Sequence, residues 1–367
     1  GLHRIEVPAA GLGGFARAAI GRYSYADMIG KWGRETARRW FGESLAAVDT
    51  VRELARGASI DCGLAEAGHL KIAHRPGRAT ALAQEAELLQ REFEYPAEFL
   101  PADKVLSEHI GGAESHGALR FPDALAVHPL KLAFGVLAAA RSAGARVHSA
   151  SPVTGWRKNN GAHALATPYG TVRAKSVVIA TNGYTPEHLL PCLRGTTLPV
   201  LSHIIVTRPM TPQEKRASGF ITGHVLTDTR NLLYYWRRMP DDRILFGGRG
   251  LITESQGSQA RQREFLLAEL KRKLPALAAI EVEYDWWGWV CLTADFLPHV
   301  YHADDASVHY AIGYQGSGVA YGLHAGRLLA SRVAGEDTQA TIPSTSTPLP
   351  RFPLAALRRA GQRAAYL

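Results

Sequence analysis

Residues 308–330, VHYAIGYQGSGVAYGLHAGRLLA, constrain this chain more than any other segment, because strand, glycine loop and helix follow one another without a spacer. Val308, Tyr310 and Ile312 alternate as a strand does. Gly313, Gly316 and Gly318 then allow a tight turn and close approach of a backbone or a ligand. The helix over 319–333 points its unpaired N–H groups and the positive end of its dipole back over the strand terminus, which favours negative charge there. Gly318, Gly322 and Gly326 recur every four residues, a bare stripe along which the helix can lie close to a neighbour. Spacing alone leaves tight packing and anion binding level, since the third glycine of a dinucleotide fingerprint is missing.

The rest of the chain has two characters. Met28, Trp32, Ala37, Trp40, Leu45 and Val48 recur at helical intervals over 24–56, and 78–93 is a second helical stretch. Residues 118–121 and 125–127 flank the Pro122-Asp123 turn as strands. Pro129 opens a helix over 130–142 that Gly144 closes, and 146–149 follow as a strand. This rhythm runs through strands at 153–156, 162–166 and Val172 to Val177–Ala180, whose continuous apolar run predicts burial on both faces of a parallel sheet. Farther on, 199–207, 232–238 and 243–246 alternate with period two, and Asp241-Asp242 makes a hairpin turn. Residues 262–274 are helical, and 281–292 form a long strand carrying Tyr284, Trp286, Trp287 and Trp289. The predicted class is α/β. A Rossmann-like parallel sheet, discontinuous over 1–57, 122–198 and 295–340, joins an antiparallel mixed-sheet α+β domain from 58–121 and 199–294. A Pro/Ser/Thr-rich linker and basic tail occupy 341–367.

Composition narrows the function classes. The 367 residues are 46% hydrophobic and 20% charged, ordinary for a globular chain with core enough for two domains. No apolar run approaches the length of a membrane span, and no secretory leader is visible. Cys62, Cys192 and Cys291 are odd in number and far apart, which predicts a reducing, cytoplasmic setting. His128, His203 and His299 have no metal-ligand spacing, so no metal is expected. The net charge is +9, but Arg351, Arg358, Arg359 and Arg363 follow the last acid, Asp337, and supply four of the nine. The other charges interleave and no nucleic-acid motif accompanies them, so a solvated basic tail and no nucleic-acid partner are expected.

Two further segments bear on ligands. Gly11-Leu12-Gly13-Gly14-Phe15-Ala16 fits G-x-G-x-x-A formally. Only His3–Val7 precedes it as a strand, and no second strand ending in an acid follows, so it reads as no phosphate cradle. Val177–Tyr184 ends a strand in small residues, at the end where α/β sheets take ligands. Taken in order, the matching pieces are GGFARAAIG at 13–21, Gly68-His69-Leu70, PDALAVHPLKLA at 122–133 and VVIATNGYTP at 177–186. NLLYYWRRMPDDRILFGGRG at 231–250, WWGWVCLTADFLP at 286–298 and GYQGSGVAYGLHAGRLLA at 313–330 complete the set. Together they resemble the FAD-dependent amine and amino-acid oxidases of the D-amino-acid oxidase/glycine oxidase type, gamma-glutamylputrescine oxidase-like enzymes in particular, over roughly residues 11–335.

That resemblance implies FAD as cofactor and oxidation of an amine C–N bond to an imine, on a gamma-glutamylputrescine-, sarcosine- or glycine-like substrate. Electrons would pass to O2 or another acceptor. It implies that Gly316, Ser317, Gly318 and Val319 contact the flavin and ribityl chain. Val153 would meet the adenine, Thr181, Asn182 and Gly183 would line the dinucleotide, and Gly13 and Gly14 would border the cofactor. Substrate-side candidates are Tyr235 and Arg237, on one face of the aromatic strand, and Arg249 beyond Gly247-Gly248. An arginine there suits a carboxylate. Each of the three reads almost equally as a hairpin residue at a domain boundary. Cys291 stands where some relatives attach flavin, and otherwise reads as a core thiol. The family opens with a strand–GxGxxG–helix–strand unit ending in a ribose-binding Glu. Here Ala10-Gly11-Leu12-Gly13-Gly14 replaces its Ser-Gly-Arg-Asn-Gly-Gly, and Ile5-Glu6 is the one trace of a second strand. The alternative expectation is therefore a truncated, inactive remnant that binds no FAD.

Overall fold

The computed structural model describes residues 13–19, 22–250, 256–336 and 342–366. The expected strand at 3–7 and residues 10–12 lie outside them. The described chain opens with a short strand, β1 (Phe15–Arg17), and a long helix, α1 (Tyr25–Gly57), bent at Gly33. Ser24 starts α1 through a reciprocal capping box with Asp27, which satisfies two otherwise orphaned N–H groups. Prolines sit at the first turn of α2 (Pro76–Phe93), α4 (Pro129–Ser142) and α5 (Pro212–Ser218), where a missing N–H costs nothing. A small sheet pairs β1 with β6 (Ala124–Ala126), and β6 with β2 (Ala65–Glu66).

The largest sheet draws on two separate stretches of chain. The first supplies β3 (His69–Ile72), β4 (Glu98–Leu100) and β5 (Ala118–Phe121), with α3 (Ala102–Glu108) between the last two. The second supplies β11 (Thr197–Thr207), β12 (Val225–Asp228), β13 (Tyr235–Arg238), β14 (Ile244–Arg249) and β15 (Val282–Thr293). Their spatial order is β15-β11-β14-β13-β12-β3-β5-β4, with only the β12–β3 pair parallel. Period-two alternation decides which residues face which side. Ile205, Leu226, Trp236 and Phe246 point to one side, where Leu266, Leu270 and Leu274, on and just after α6 (Gln256–Lys273), close a core. Burying each such leucine contributes about 1.5–3 kcal/mol. Ile204, Tyr235 and Leu245 point to the other side.

A meander of β7 (Gly155–Asn159), β8 (Ala162–Thr167) and β9 (Gly170–Ala174) precedes the parallel unit. There β10 (Val177–Ile179) pairs in parallel with β17 (Val308–Ile312), and β17 pairs antiparallel with β16 (His299–His302). Helix α7 (Gly318–Val333) follows β17 and packs Tyr321, Ala325 and Leu329 against Trp40, Val48 and Val51 of α1. Gly322 and Gly326 of the α7 stripe do not serve this packing: a Cβ on Gly322 would make only ordinary contact with Tyr314, and one on Gly326 would meet nothing.

Three expectations are corrected. Val178 is 45% exposed while Val177 and Ile179 are buried, so β10 is not covered on both faces. Its second edge carries no strand among the described residues. Residues 146–149 carry no strand and are exposed, because strand backbone needs a neighbour to satisfy its N–H and C=O groups and no strand pairs with them among the described residues. The tail is docked rather than solvated. Beyond α8 (Pro343–Ser346), the Leu349 N–H donates to the Tyr310 hydroxyl at 2.9 Å. At the start of α9 (Arg358–Tyr366), Arg358 forks onto Glu187 at 2.8 and 2.9 Å, and Arg359 lies over the Trp289 ring.

Candidate active site

The two sides of β13 handle charge differently. On the helix side, buried Lys273 donates to Asp228 at 2.9 Å and Glu114 at 2.8 Å, and Arg230 and Arg272 also bind Glu114. Buried cations are ordinarily paired in this way. On the other side, Arg237 is 7% exposed and has no carboxylate partner among the described residues. Its Nη2 donates to the Val127 carbonyl at 2.9 Å, its Cζ lies 5.8 Å from the Phe15 ring centre, and its buried Nε has no partner. Desolvation alone lowers its pKa to about 10. A buried guanidinium with spare donors and no counter-ion is a ready site for a carboxylate.

Tyr235 stands one side-chain repeat from Arg237 on the same face. Its side chain is half-buried, on the face of the sheet away from α6. Phe15 meets it edge-on at 5.8 Å. The ring lies flat across β14 because its register partner is Gly247, where a Cβ would come within 2.4 Å of it. Gly13 also lies against the ring, with a Cβ position 3.2 Å from it. The phenol oxygen is 2.9 Å from Ser202 Oγ, which itself donates to the Gly248 carbonyl at 3.0 Å. Arg249 follows on that face, opposite Ser202 in register and half-buried. The two arginines therefore flank the tyrosine, each about 6–7 Å along the strands.

The glycine loop builds the second half. Gly313, Gln315 and Gly316 all have left-handed backbones, with φ of 84°, 53° and 97°. The Gly313 N–H donates to Asn182 Oδ1 at 3.0 Å, tying the ends of β17 and β10 together. Gln315 Nε2 donates to Thr293 Oγ1 and the Gly313 carbonyl. Asn182 Nδ2 and Gln315 Oε1 remain buried without partners. Ser317 does not cap α7 with its side chain, so the first-turn N–H groups are available, and a Cβ on Gly316 would enter open space. Orphaned polar atoms, an uncapped helix end and a vacant approach fit the polar edge of a flavin ring.

The other candidates divide. The Val319 side chain packs into the α1–α7 core, leaving its N–H for the loop. Gly183 abuts the Trp289 backbone, with a Cβ position 2.8 Å from that carbonyl, so its smallness serves packing. The exposed Thr181 bonds Thr185, and Val153 sits half-buried ahead of the separate meander. Gly13-Gly14 leads into β1, not a helix, and Gly14 is needed because a Cβ there would stand 2.2 Å from the Val127 carbonyl. That geometry is no phosphate cradle. Cys291 is fully buried and desolvation pushes its thiol up to about 12, which keeps it neutral. Sequence reasoning missed Phe15, Ser202, Gln315 and Thr293; only Gln315, set between loop glycines, carried a local sign.

A protein called gamma-glutamylputrescine oxidoreductase from Escherichia coli is 29% identical over 311 residues, 84% of this chain and 71% of that one. A probable oxidoreductase, OrdL, from Haemophilus influenzae is 27% identical over 323 residues, covering 86% and 72%. Among solved structures, glycine oxidase from Geobacillus kaustophilus matches with a TM-score of 0.70 at 23% identity, covering 84% of this chain and 82% of that one, and shares the fold. The model of the DAO family, FAD dependent oxidoreductase, matches residues 13–332, and the chain therefore belongs to the DAO family of FAD-dependent oxidoreductases.

Proposed function

We propose that the protein oxidises the C–N bond of an amine or amino acid that bears a carboxylate, and that the imine product then hydrolyses in water. The observation that carries this reading is Arg237, a buried cation without a counter-ion among the described residues, beside Tyr235 on the same face of the sheet. The names of its relatives point the same way: gamma-glutamylputrescine oxidoreductase, glycine oxidase and iminodiacetate oxidase. FAD bound here would supply the two-electron acceptor for that oxidation, with O2 as the terminal acceptor. The chain's own residues position the reactants. Arg237 anchors the carboxylate, Tyr235 borders the amine, and the Phe15 ring and Gly13 wall off water. The Gly316–Val319 turn and Asn182 would hold the flavin's polar edge, where the positive end of α7 favours negative charge. We place the enzyme in the cytoplasm on its three free thiols.

One observation favours a second reading, a chain that holds no FAD: the second edge of β10 is unpaired among the described residues. The visible spectrum decides between them. Purified protein that is yellow, or turns yellow when FAD is added, and bleaches anaerobically with gamma-glutamylputrescine, sarcosine or glycine supports the enzyme. Protein that stays colourless in excess FAD sinks it.

A further inference from the structure

We propose that Ser202 fixes the proton of the Tyr235 phenol away from the crevice, so that the site presents only an acceptor there and selects substrates carrying an N–H. The proposal rests on the amine-oxidising reading above. The argument is a proton inventory. A serine hydroxyl has one proton, and a carbonyl can only accept. Ser202 Oγ lies 3.0 Å from the buried Gly248 carbonyl, so its proton goes there. Were it turned toward Tyr235 instead, the phenol's own proton would have no acceptor among the described residues, because Ser202 is the hydroxyl's partner there. The 2.9 Å contact between Ser202 Oγ and the phenol therefore carries the tyrosine's proton, and Tyr235 donates. Burial raises the phenol pKa, so this proton is not lost at ordinary pH. The ring has little room to swing to another partner, because the Gly247 and Gly13 backbones both lie close against it.

What remains on the phenol oxygen is a lone pair. An ammonium or a neutral primary or secondary amine satisfies it with an N–H, before and after the amine loses its proton. A carboxylate or an ether oxygen meets it acceptor to acceptor. A tertiary amine loses its only N–H on becoming neutral, the form from which oxidation starts. The arrangement divides the labour of recognition: Arg237 reads the carboxylate and Tyr235 reads the nitrogen. Ser202 is a positioning residue that acts through the tyrosine.

The test uses the FAD-loaded enzyme with sarcosine, its carbon isostere butyrate, and N,N-dimethylglycine. Binding is followed by perturbation of the flavin spectrum. The wild type is expected to bind sarcosine about tenfold to a hundredfold tighter than butyrate, and to turn over N,N-dimethylglycine at least tenfold more slowly than sarcosine. Ser202→Ala should bring the sarcosine/butyrate ratio toward one, by freeing the phenol to donate, while Ser202→Thr preserves it. In a Tyr235→Phe background, Ser202→Ala should change nothing further. Independently of any ligand, a slowly exchanging Tyr235 hydroxyl proton should be visible by NMR in the wild type and in Ser202→Thr, and absent in Ser202→Ala. An unchanged binding ratio in folded Ser202→Ala, or an Ala effect that persists without the Tyr235 hydroxyl, would overturn the proposal. So would loss of that proton resonance from the wild type. A wild type that bleaches with none of the amines is instead a failure of the function proposed above.

Discussion

Two faces of one strand, β13, treat buried cations in opposite ways. On the helix face Lys273 is locked between Asp228 and Glu114, with Arg230 and Arg272 completing the network. On the crevice face Arg237 has a carbonyl and an aromatic ring and nothing of opposite charge among the described residues. The first is a finished structural clasp. The second is electrostatically incomplete in the absence of a ligand. Charge that the fold neutralises itself serves stability, and charge it leaves unneutralised in a crevice serves binding.

The contrast is breakable, and the largest effect should come from the clasp. Lys273→Met leaves Asp228 and Glu114 short of a donor and should cost about 3–5 kcal/mol of stability by urea unfolding. In the fraction that stays folded, substrate affinity should scarcely change. Arg237→Met should do the reverse. Carboxylate-bearing substrates should lose about 3 kcal/mol, on the order of a hundredfold in kcat/KM, with thermal stability unchanged or raised. If Arg237→Met unfolds the protein instead, the crevice arginine is a clasp too.

The faces should also differ in the limb of the pH profile they govern. Burial pushes the Glu114 carboxyl up, but hydrogen bonds from Arg230, Lys273 and Arg272 outweigh it and hold the pKa well below the usual range. A depressed carboxyl stabilises fully above its unfolded value of about 4.3, and that contribution fades as pH falls through the folded value. Glu114→Gln should therefore flatten the acid limb of unfolding. At the crevice, affinity for carboxylates should fall as pH rises through about 10, where Arg237 loses its charge, while stability should rise over the same limb, because the unfolded arginine keeps a proton that the buried one has lost. The smallest effect lies on the open strand: Val178→Thr should change stability by less than about 0.5 kcal/mol, against about 1–3 for Ile179→Thr one residue on. Equal losses would mean that β10 is covered on both faces in solution.

Local rules made much of the fold legible. Capped and proline-started helices such as α1, α2 and α4, and the alternating strands β11 and β15, lie within a few residues of where periodicity puts them. Failures came where a distant partner decides the outcome. Residues 146–149 have strand composition but no neighbouring edge, and Val178 is apolar but has nothing over it. Arg358 belongs to a basic run that a solvated tail would explain, yet Glu187 captures it across 171 positions. In the site, alternation put Tyr235 and Arg237 on one face, whereas Ser202 is an unremarkable strand serine until β11 and β14 are registered side by side. Asn182 was reached through family likeness, but its bond to Gly313 joins segments 131 positions apart and leaves no trace in either.

The two glycines clamping Tyr235 have a consequence for how such a site diversifies. A first substitution at Gly247 collides with the ring whatever residue is introduced, and one at Gly13 crowds it as well. Changing the tyrosine alone leaves a slot that only a flat ring fills well. Any single-step path that moves this side chain therefore crosses a misfolded or cavity-bearing intermediate. Arg237 is held by one carbonyl and can be exchanged in a single step, so drift in substrate preference should run through the arginine while the nitrogen-reading ring stays fixed.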